Sequence, residues 1–268
     1  MSEFETVGYE TEGRVATITL ARPEKLNAIS MQLQDDLLEA LERAAADPGI
    51  HVAVVQGLGR AFSTGYDITV GGTGGGGVTG DRAGLERIMR NWLRIWDLPL
   101  PVVAKVHGYC LAGGTQLAAI CDVTFVTDDC RVGTPQLPLG AGFVGSIWTW
   151  LVGPKKAKEM FFPTGDMITG AEAAEWGLFN QSFPAEELDD AVAAYVARVA
   201  RTPKEILALQ KQSANRIQEI QGFREALLQA VEVDAIAHAS PAVRAINEFI
   251  RENGLQAALQ AFDRGDIP

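Results

Sequence analysis

The chain has 268 residues, 47% hydrophobic and 21% charged, the balance of a folded protein that can bury a sizeable core rather than of a disordered segment. Its 23 Lys and Arg stand against 34 Asp and Glu, a formal net charge of −11, which repels phosphate backbones and anionic lipid and excludes nucleic acid and membrane as main partners. Cys110, Cys121 and Cys130 share no CxxC spacing and only three histidines accompany them, so neither a disulfide framework nor a metal site is expected.

The opening MSEFETVGYE is acidic and lacks the basic start and apolar run of a secretory signal. With reduced thiols, this makes the cytoplasm the expected location. The most apolar segment, 140–153, is shorter than the roughly 20 residues that a membrane span needs.

Val7 to Glu10 reads as extended chain and Val15 to Leu20 as an alternating, half-buried strand, so a hairpin is expected at the start. Ser30 then precedes a helix with Leu33, Leu37, Leu38 and Leu41 on one face, stopped by Pro48-Gly49. Two β-branched runs follow, His51 to Val55 and Pro101 to Val106, each ending at glycine. The first leads through AFSTGYDI and a glycine tract to a helix near Arg82 to Asp97. The second leads through LAGG to a helix near Thr115 to Ile120. The two form a weak repeat of strand, glycine turn and helix.

Val123 to Val126, Arg131 to Gly133 and Phe179 to Phe183 read as further short strands. Past Pro184 only helical pattern remains, with long Ala/Leu/Glu/Gln-rich segments over 203–221, 223–239 and 241–253. A boundary near residue 200 therefore divides an α/β body, 1–200, from a helical region, 201–268. The latter could close the core or pack on another subunit.

Three motifs touch on chemistry. Gly72 to Gly77 satisfies G-x-G-x-x-G, but a glycine run does so by default and no long strand precedes it, so it reads as a surface loop. Ala61-Phe-Ser63-Thr-Gly65 approximates a nucleophile elbow, and Ser63, a later acid and His238 would keep a hydrolase order. That is the rival reading. The two glycine turns, AFSTGYDI and GYCLAGGTQLA, expose backbone N–H groups after buried strands, one of them opening a helix. Such donors suit an oxygen that gains negative charge.

With these turns in place, the chain resembles the crotonase superfamily, or enoyl-CoA hydratase/isomerases. The resemblance runs through RVATITLARPEKLNAIS, GLGRAFSTGYDI, PVVAKVHGYCLAGGTQLAAICDVTFVTDDCRVGTPQLPLG and GPKKAKEMFFPTGDMITGAEAAEWGLFNQSFP, in order. It implies an α/β, crotonase-like spiral of ββα turns with a helical C-terminal trimerisation region, assembled as a homotrimer or a dimer of trimers. It also implies an acyl-CoA ligand, with coenzyme A carried by the substrate and no separate cofactor. The thioester oxygen then falls to the N–H groups of Tyr66 and Gly113. Lys25, Leu26 and Ala28 fall where the family contacts CoA, Lys25 being equally readable as a plain surface lysine. Thr64, Asp67 and Ile68 fall at the adenine end.

The family's hydratases carry two glutamates that position and deprotonate water, and here those positions hold Gln116 and Gln136. An amide can hold water but offers no carboxylate to take its proton. Efficient hydration of a 2-enoyl-CoA is therefore not expected, and restoring both glutamates should raise it in an otherwise intact pocket. Glu86, Tyr109 and His107 are the residues considered as substitute bases. A protein that binds acyl-CoA without catalysis is the other alternative. The tract from Gly71 to Gly80 is expected to gate the acyl pocket.

Overall fold

The computed structural model describes residues 4–67, 77–134 and 137–267. The first half builds a layered sheet. Strands β1 (Val7–Glu12) and β2 (Val15–Leu20) form the expected antiparallel hairpin. Helix α1 (Met31–Ala46) follows, its first turn capped by Ser30 Oγ, which accepts from Leu33 N at 3.1 Å. Leu33, Leu37, Leu38 and Leu41 all point inward, and each buried leucine contributes about 1.5–3 kcal/mol.

Strand β3 (Val52–Gly57) leads towards α2 (Gly77–Asp97), which starts earlier than the sequence suggests, taking 77–80 of the glycine-rich tract into its first turn. Strands β4 (Val102–Val106) and β5 (Tyr109–Leu111) precede α3 (Gly113–Ile120). Strands β6 (Val123–Thr127) and β7 (Arg131–Gly133) precede α4 (Gly145–Phe161), which breaks at Gly153, where φ is 78° and Pro154 follows. Strand β8 (Met167–Thr169), α5 (Gly170–Glu175) and β9 (Gln181–Phe183) complete the body.

The strands fall into two layers. A six-stranded sheet runs β1-β2-β3-β4-β6-β9, parallel from β2 onward, and a three-stranded sheet runs β5-β7-β8. Parallel bridges Ile29–Tyr66 and Ser63–Cys110 extend the small layer towards the N-terminus. Each turn of chain therefore gives one extended segment to the large sheet, one to the small layer, and then a helix. This is the spiral that the weak repeat foreshadows.

The large sheet is buried on both faces, which explains the unbroken VAVV run of β3. Ala53 and Val55 face the main core, while Val52 and Val54 face Val103, Phe125 and helix α6 (Leu188–Val199) through its Leu188, Val192 and Val196. Helices α7 (Lys204–Ile220), α8 (Phe223–His238), α9 (Pro241–Asn253) and α10 (Leu255–Asp263) form the C-terminal region. Lys211 of α7 ties this region to the body through the carbonyls of Ile95 and Leu100, at 3.0 and 3.1 Å, and Asp122 at 2.8 Å. Phe223 of α8 stacks on Trp96 of α2, with ring centroids 4.4 Å apart. Helix α6 thus covers the outer sheet face ahead of this region. No helix among the described residues is long and apolar enough to cross a membrane.

Candidate active site

The site is built where the first two turns of the spiral touch. Asn27, fully buried with φ 54°, anchors the first turn: its Oδ1 accepts from Arg22 N at 2.9 Å, and its Nδ2 donates to Leu58 O and Ala61 O at 3.0 and 2.8 Å. Ser63 Oγ donates to Asn27 O at 2.8 Å and accepts from Gly65 N at 3.2 Å. Ser63 is wholly buried, so its hydroxyl braces the turn. His238 lies elsewhere, with Nδ1 2.7 Å from Asp81. The serine-hydrolase constellation is not assembled.

Gly65 has φ 96°, and a Cβ there would fall 2.8 Å from Ala112 Cβ and 3.1 Å from Gly113 N. Only glycine permits that approach, and it brings the two donor turns into contact. Ile29 N donates to Gly65 O at 2.7 Å and Asp67 N to Ile29 O at 2.9 Å, leaving Tyr66 between two pinned neighbours. Ala112 carries φ 47° and ψ −120° at the N-cap of α3, a costly conformation for a residue with a Cβ. Two hydrogen bonds to its carbonyl, from Thr115 N and Thr115 Oγ1, hold it there. Neither Tyr66 N–H nor Gly113 N–H meets an acceptor among the described residues. Gly113 also stands at the start of α3, where helix dipole and open N–H groups favour a negative oxygen.

The Tyr66 side chain fills the space beside this pair. A Cβ on Gly113 would lie 2.6 Å from Tyr66 Cε2. The Tyr66 hydroxyl accepts from Trp92 Nε1 at 2.9 Å and donates to Gln116 Oε1 at 2.5 Å. Burial, with a smaller push from Asp234, drives its pKa upward, so it stays a neutral donor. Gln116 Nε2 in turn donates to Phe143 O at 2.7 Å. Gln116 is 2% exposed and does not itself line the cleft, standing behind Tyr66 and Phe143, which do.

The cleft itself encloses about 2280 Å³, beyond the ~300–1,000 Å³ of a drug-sized pocket and roomy enough for a nucleotide-bearing thioester. Lys25, Leu26, Ala28, Thr64 and Asp67 line it together, with Arg22 and Arg60 beside them. Asp67 receives Arg22 at 2.8 Å and Lys25 at 3.4 Å, so this carboxylate positions two cations. At the other end Leu137, Phe143, Val144, Trp150, Phe161 and Val233 make an apolar wall. Tyr109 lines the cleft as well.

Two suggested bases do not reach the cleft. Glu86 turns to Arg82 and Arg90, at 3.1 and 2.5 Å, and the Arg90 hydrogen bond holds its carboxyl below the usual range. His107 Nε2 lies 2.8 Å from Gly59 O, off the lining. Gln136, Ile68 and 71–76 of the gate lie outside the described residues. Sequence reading passed over Asn27, whose buried amide has no periodic signal, and Arg60, which precedes the motif.

With this geometry in view, residues 10–250 match the family described as "Enoyl-CoA hydratase/isomerase". The chain belongs to that family. An enoyl-CoA hydratase/isomerase from Xanthobacter autotrophicus Py2 superposes with a TM-score of 0.90 at 35% identity, covering 99% of each chain. An enoyl-CoA hydratase from Mycobacterium smegmatis gives 0.88 at 33%, covering 97% of this chain and 94% of that one. The mitochondrial enoyl-CoA hydratase of Pongo abelii is 30% identical over 221 residues, 80% of this chain and 74% of that protein. The crotonase-type fold and family membership thus agree with the sequence motifs.

Proposed function

We propose that the protein binds an acyl-CoA thioester, placing its carbonyl oxygen on the N–H groups of Tyr66 and Gly113 and stabilising the enolate formed there. The contact between the two donor turns, with both N–H groups lacking an acceptor among the described residues, carries this reading. Two converging donors are worth roughly 10²- to 10³-fold each in such chemistry. Arg22, Lys25 and Arg60 supply positive charge at the end assigned to the CoA phosphates.

Hydration by a glutamate pair is not the proposed reaction. Gln116 Oε1 accepts from Tyr66 and its Nε2 donates to Phe143 O, so the amide is held in place, and it carries no carboxylate to take a proton from water. Enolate chemistry without added water, such as moving a double bond along the acyl chain, suits the site better. The same locked amide favours a second reading, an acyl-CoA-binding protein without turnover.

The test is calorimetric binding of butyryl-CoA beside assays of crotonyl-CoA hydration and 3-enoyl-CoA isomerisation. Binding with isomerisation and little hydration supports the proposal. Binding without turnover selects the second reading, and hydration above roughly 10 per second overturns the exclusion of hydratase activity.

The proposed assembly is a trimer or a pair of trimers. Ile206, Leu209, Ile217 and Ile220 of α7 are exposed at helical spacing along one stripe, which suits a subunit interface. Light scattering that finds a monomer at micromolar concentration overturns it. Three buried free thiols suit the cytoplasm as location.

A further inference from the structure

On the lining of the same cleft lies a histidine between two carboxylates. His238, the last residue of α8, has Nδ1 2.7 Å from Asp81 Oδ2 on α2 and Nε2 3.5 Å from Asp234 Oδ2 one turn earlier on its own helix. Asp81, Asp234 and His238 all line the cleft. The two carboxylate side chains are 10% and 7% exposed, whereas that of His238 is 29% exposed. The imidazole is therefore the member of the set that a ligand can touch.

The two nitrogens have different duties. A carboxylate only accepts, so the short contact puts the proton of neutral His238 on Nδ1, donated to Asp81. The Nε2 lone pair is left on the looser side, facing Asp234 and the cleft. When Nε2 takes a proton, the resulting cation lies between two negative charges.

Asp234 also links this histidine to the donor turns. Its Oδ1 accepts from Ala141 N, Gly142 N and Phe143 N at 2.5, 3.0 and 3.4 Å, and a Cβ on Gly140 would lie 2.7 Å from the same oxygen. Phe143 packs its ring 5.9 Å from that of Tyr66 and its carbonyl holds Gln116. Hydrogen bonds thus join Trp92, Tyr66, Gln116, the 141–143 loop and Asp234, and the 3.5 Å approach of His238 Nε2 to Asp234 sets His238 and Asp81 beside them. Among the described residues, the charged groups on the packed elements include the exposed Arg82–Glu232 pair at 3.4 Å between α2 and α8, and Arg244 of α9 on the cleft wall.

We infer that His238 is the acid–base group of this site, oriented by Asp81 through Nδ1 and facing Asp234 when charged. The inference rests on the acyl-CoA reading above. His238 Nε2 takes a proton from the carbon next to the thioester carbonyl. The C–H electron pair forms the new carbon–carbon double bond, and the carbonyl π pair moves onto the oxygen held by Tyr66 and Gly113. Return of the proton to the same carbon restores the substrate, and return two carbons along an unsaturated chain shifts the double bond. No other reactant is consumed.

The experiment follows exchange of the α-protons of butyryl-CoA in D₂O by proton NMR, with binding measured separately by calorimetry. Wild type should exchange them, and His238→Gln should slow exchange by about 10²- to 10⁴-fold while still binding butyryl-CoA. Asp81→Asn removes the carboxylate that orients Nδ1, so exchange should slow while butyryl-CoA binding holds, and Asp81→Glu, which restores a carboxylate acceptor, should recover the rate. A purely structural role for Asp81 would weaken binding and exchange together. Wild type that binds butyryl-CoA but exchanges nothing, or His238→Gln that exchanges at the wild-type rate, overturns the base and leaves the binding reading intact. Wild type that binds no CoA thioester overturns both.

Discussion

The Tyr66 hydroxyl donates to Gln116 Oε1 at 2.5 Å, and this single bond decides what position 116 can do. The phenol stands between the amide and the cleft, and the amide's other half is held by Phe143 O. A residue that the motif places at the reacting end is, in this chain, part of the wall behind it.

Gln116→Glu therefore has a different expected outcome from the one that the sequence suggests. The new carboxylate cannot donate to Phe143 O and would set an anionic oxygen against that carbonyl. We expect a loss of about 1–3 kcal/mol in urea unfolding. We also expect no gain in crotonyl-CoA hydration, alone or with Gln136→Glu.

Gly113→Ala probes the contact between the turns. The added methyl would lie 2.6 Å from the Tyr66 ring, so the ring or the start of α3 must shift. Turnover of acyl-CoA should fall about 10²-fold or more, because the shift moves an oxyanion donor out of position, with butyryl-CoA binding weakened in calorimetry.

Ser63→Ala addresses the hydrolase alternative. Because Ser63 Oγ bonds Asn27 O and Gly65 N inside the turn, the change should cost about 1–2 kcal/mol of stability. Fluorophosphonate labelling of wild type should be absent at Ser63; a serine adduct there in mass spectrometry would reinstate the nucleophile.

Lys211→Met should cost about 3–5 kcal/mol near neutral pH, because it strands the buried Asp122. Burial pushes the Asp122 carboxyl above its ordinary value, with Lys211 and the Val102 N–H pulling it back. A raised acid contributes stability that is fully present below its unfolded value of 3.8 and lost as pH rises through the folded one. Removing Lys211 raises the folded value further. Urea titrations should therefore show a smaller penalty at pH 4 than at pH 7, and equal penalties would show that Asp122 does not sense Lys211.

The strands and helices were legible because their signals are local: β-branched runs, glycines at strand ends, and Ser30 and Ser240 capping the helices they precede. Their winding into a spiral came only with the family resemblance. The donor turns showed as glycines after β-branched runs, and the contact of Gly65 with Ala112 and Gly113 explains why no side chain is tolerated there. The roles of Tyr66, Gln116 and His238 were not legible. Tyr66 and Gln116 are separated by 50 positions and Asp81 and His238 by 157, so the first pairing depends on where α3 lies and the second on where α2 and α8 lie, and neither leaves a pattern along the chain. The outward turn of Glu86 is by contrast local, since Arg82 and Arg90 sit four positions to either side of it on α2 and hold it there.

At position 66 the main chain and the side chain serve separate ends. The N–H is fixed by its neighbours, since Gly65 O and Asp67 N are both bonded to Ile29, while the phenol beyond it takes up space on the cleft wall. A smaller residue there would keep the donor and release the volume of an aromatic ring. The width of the cleft beside the two turns can thus change with one codon while the backbone donor at position 66 stays as it is.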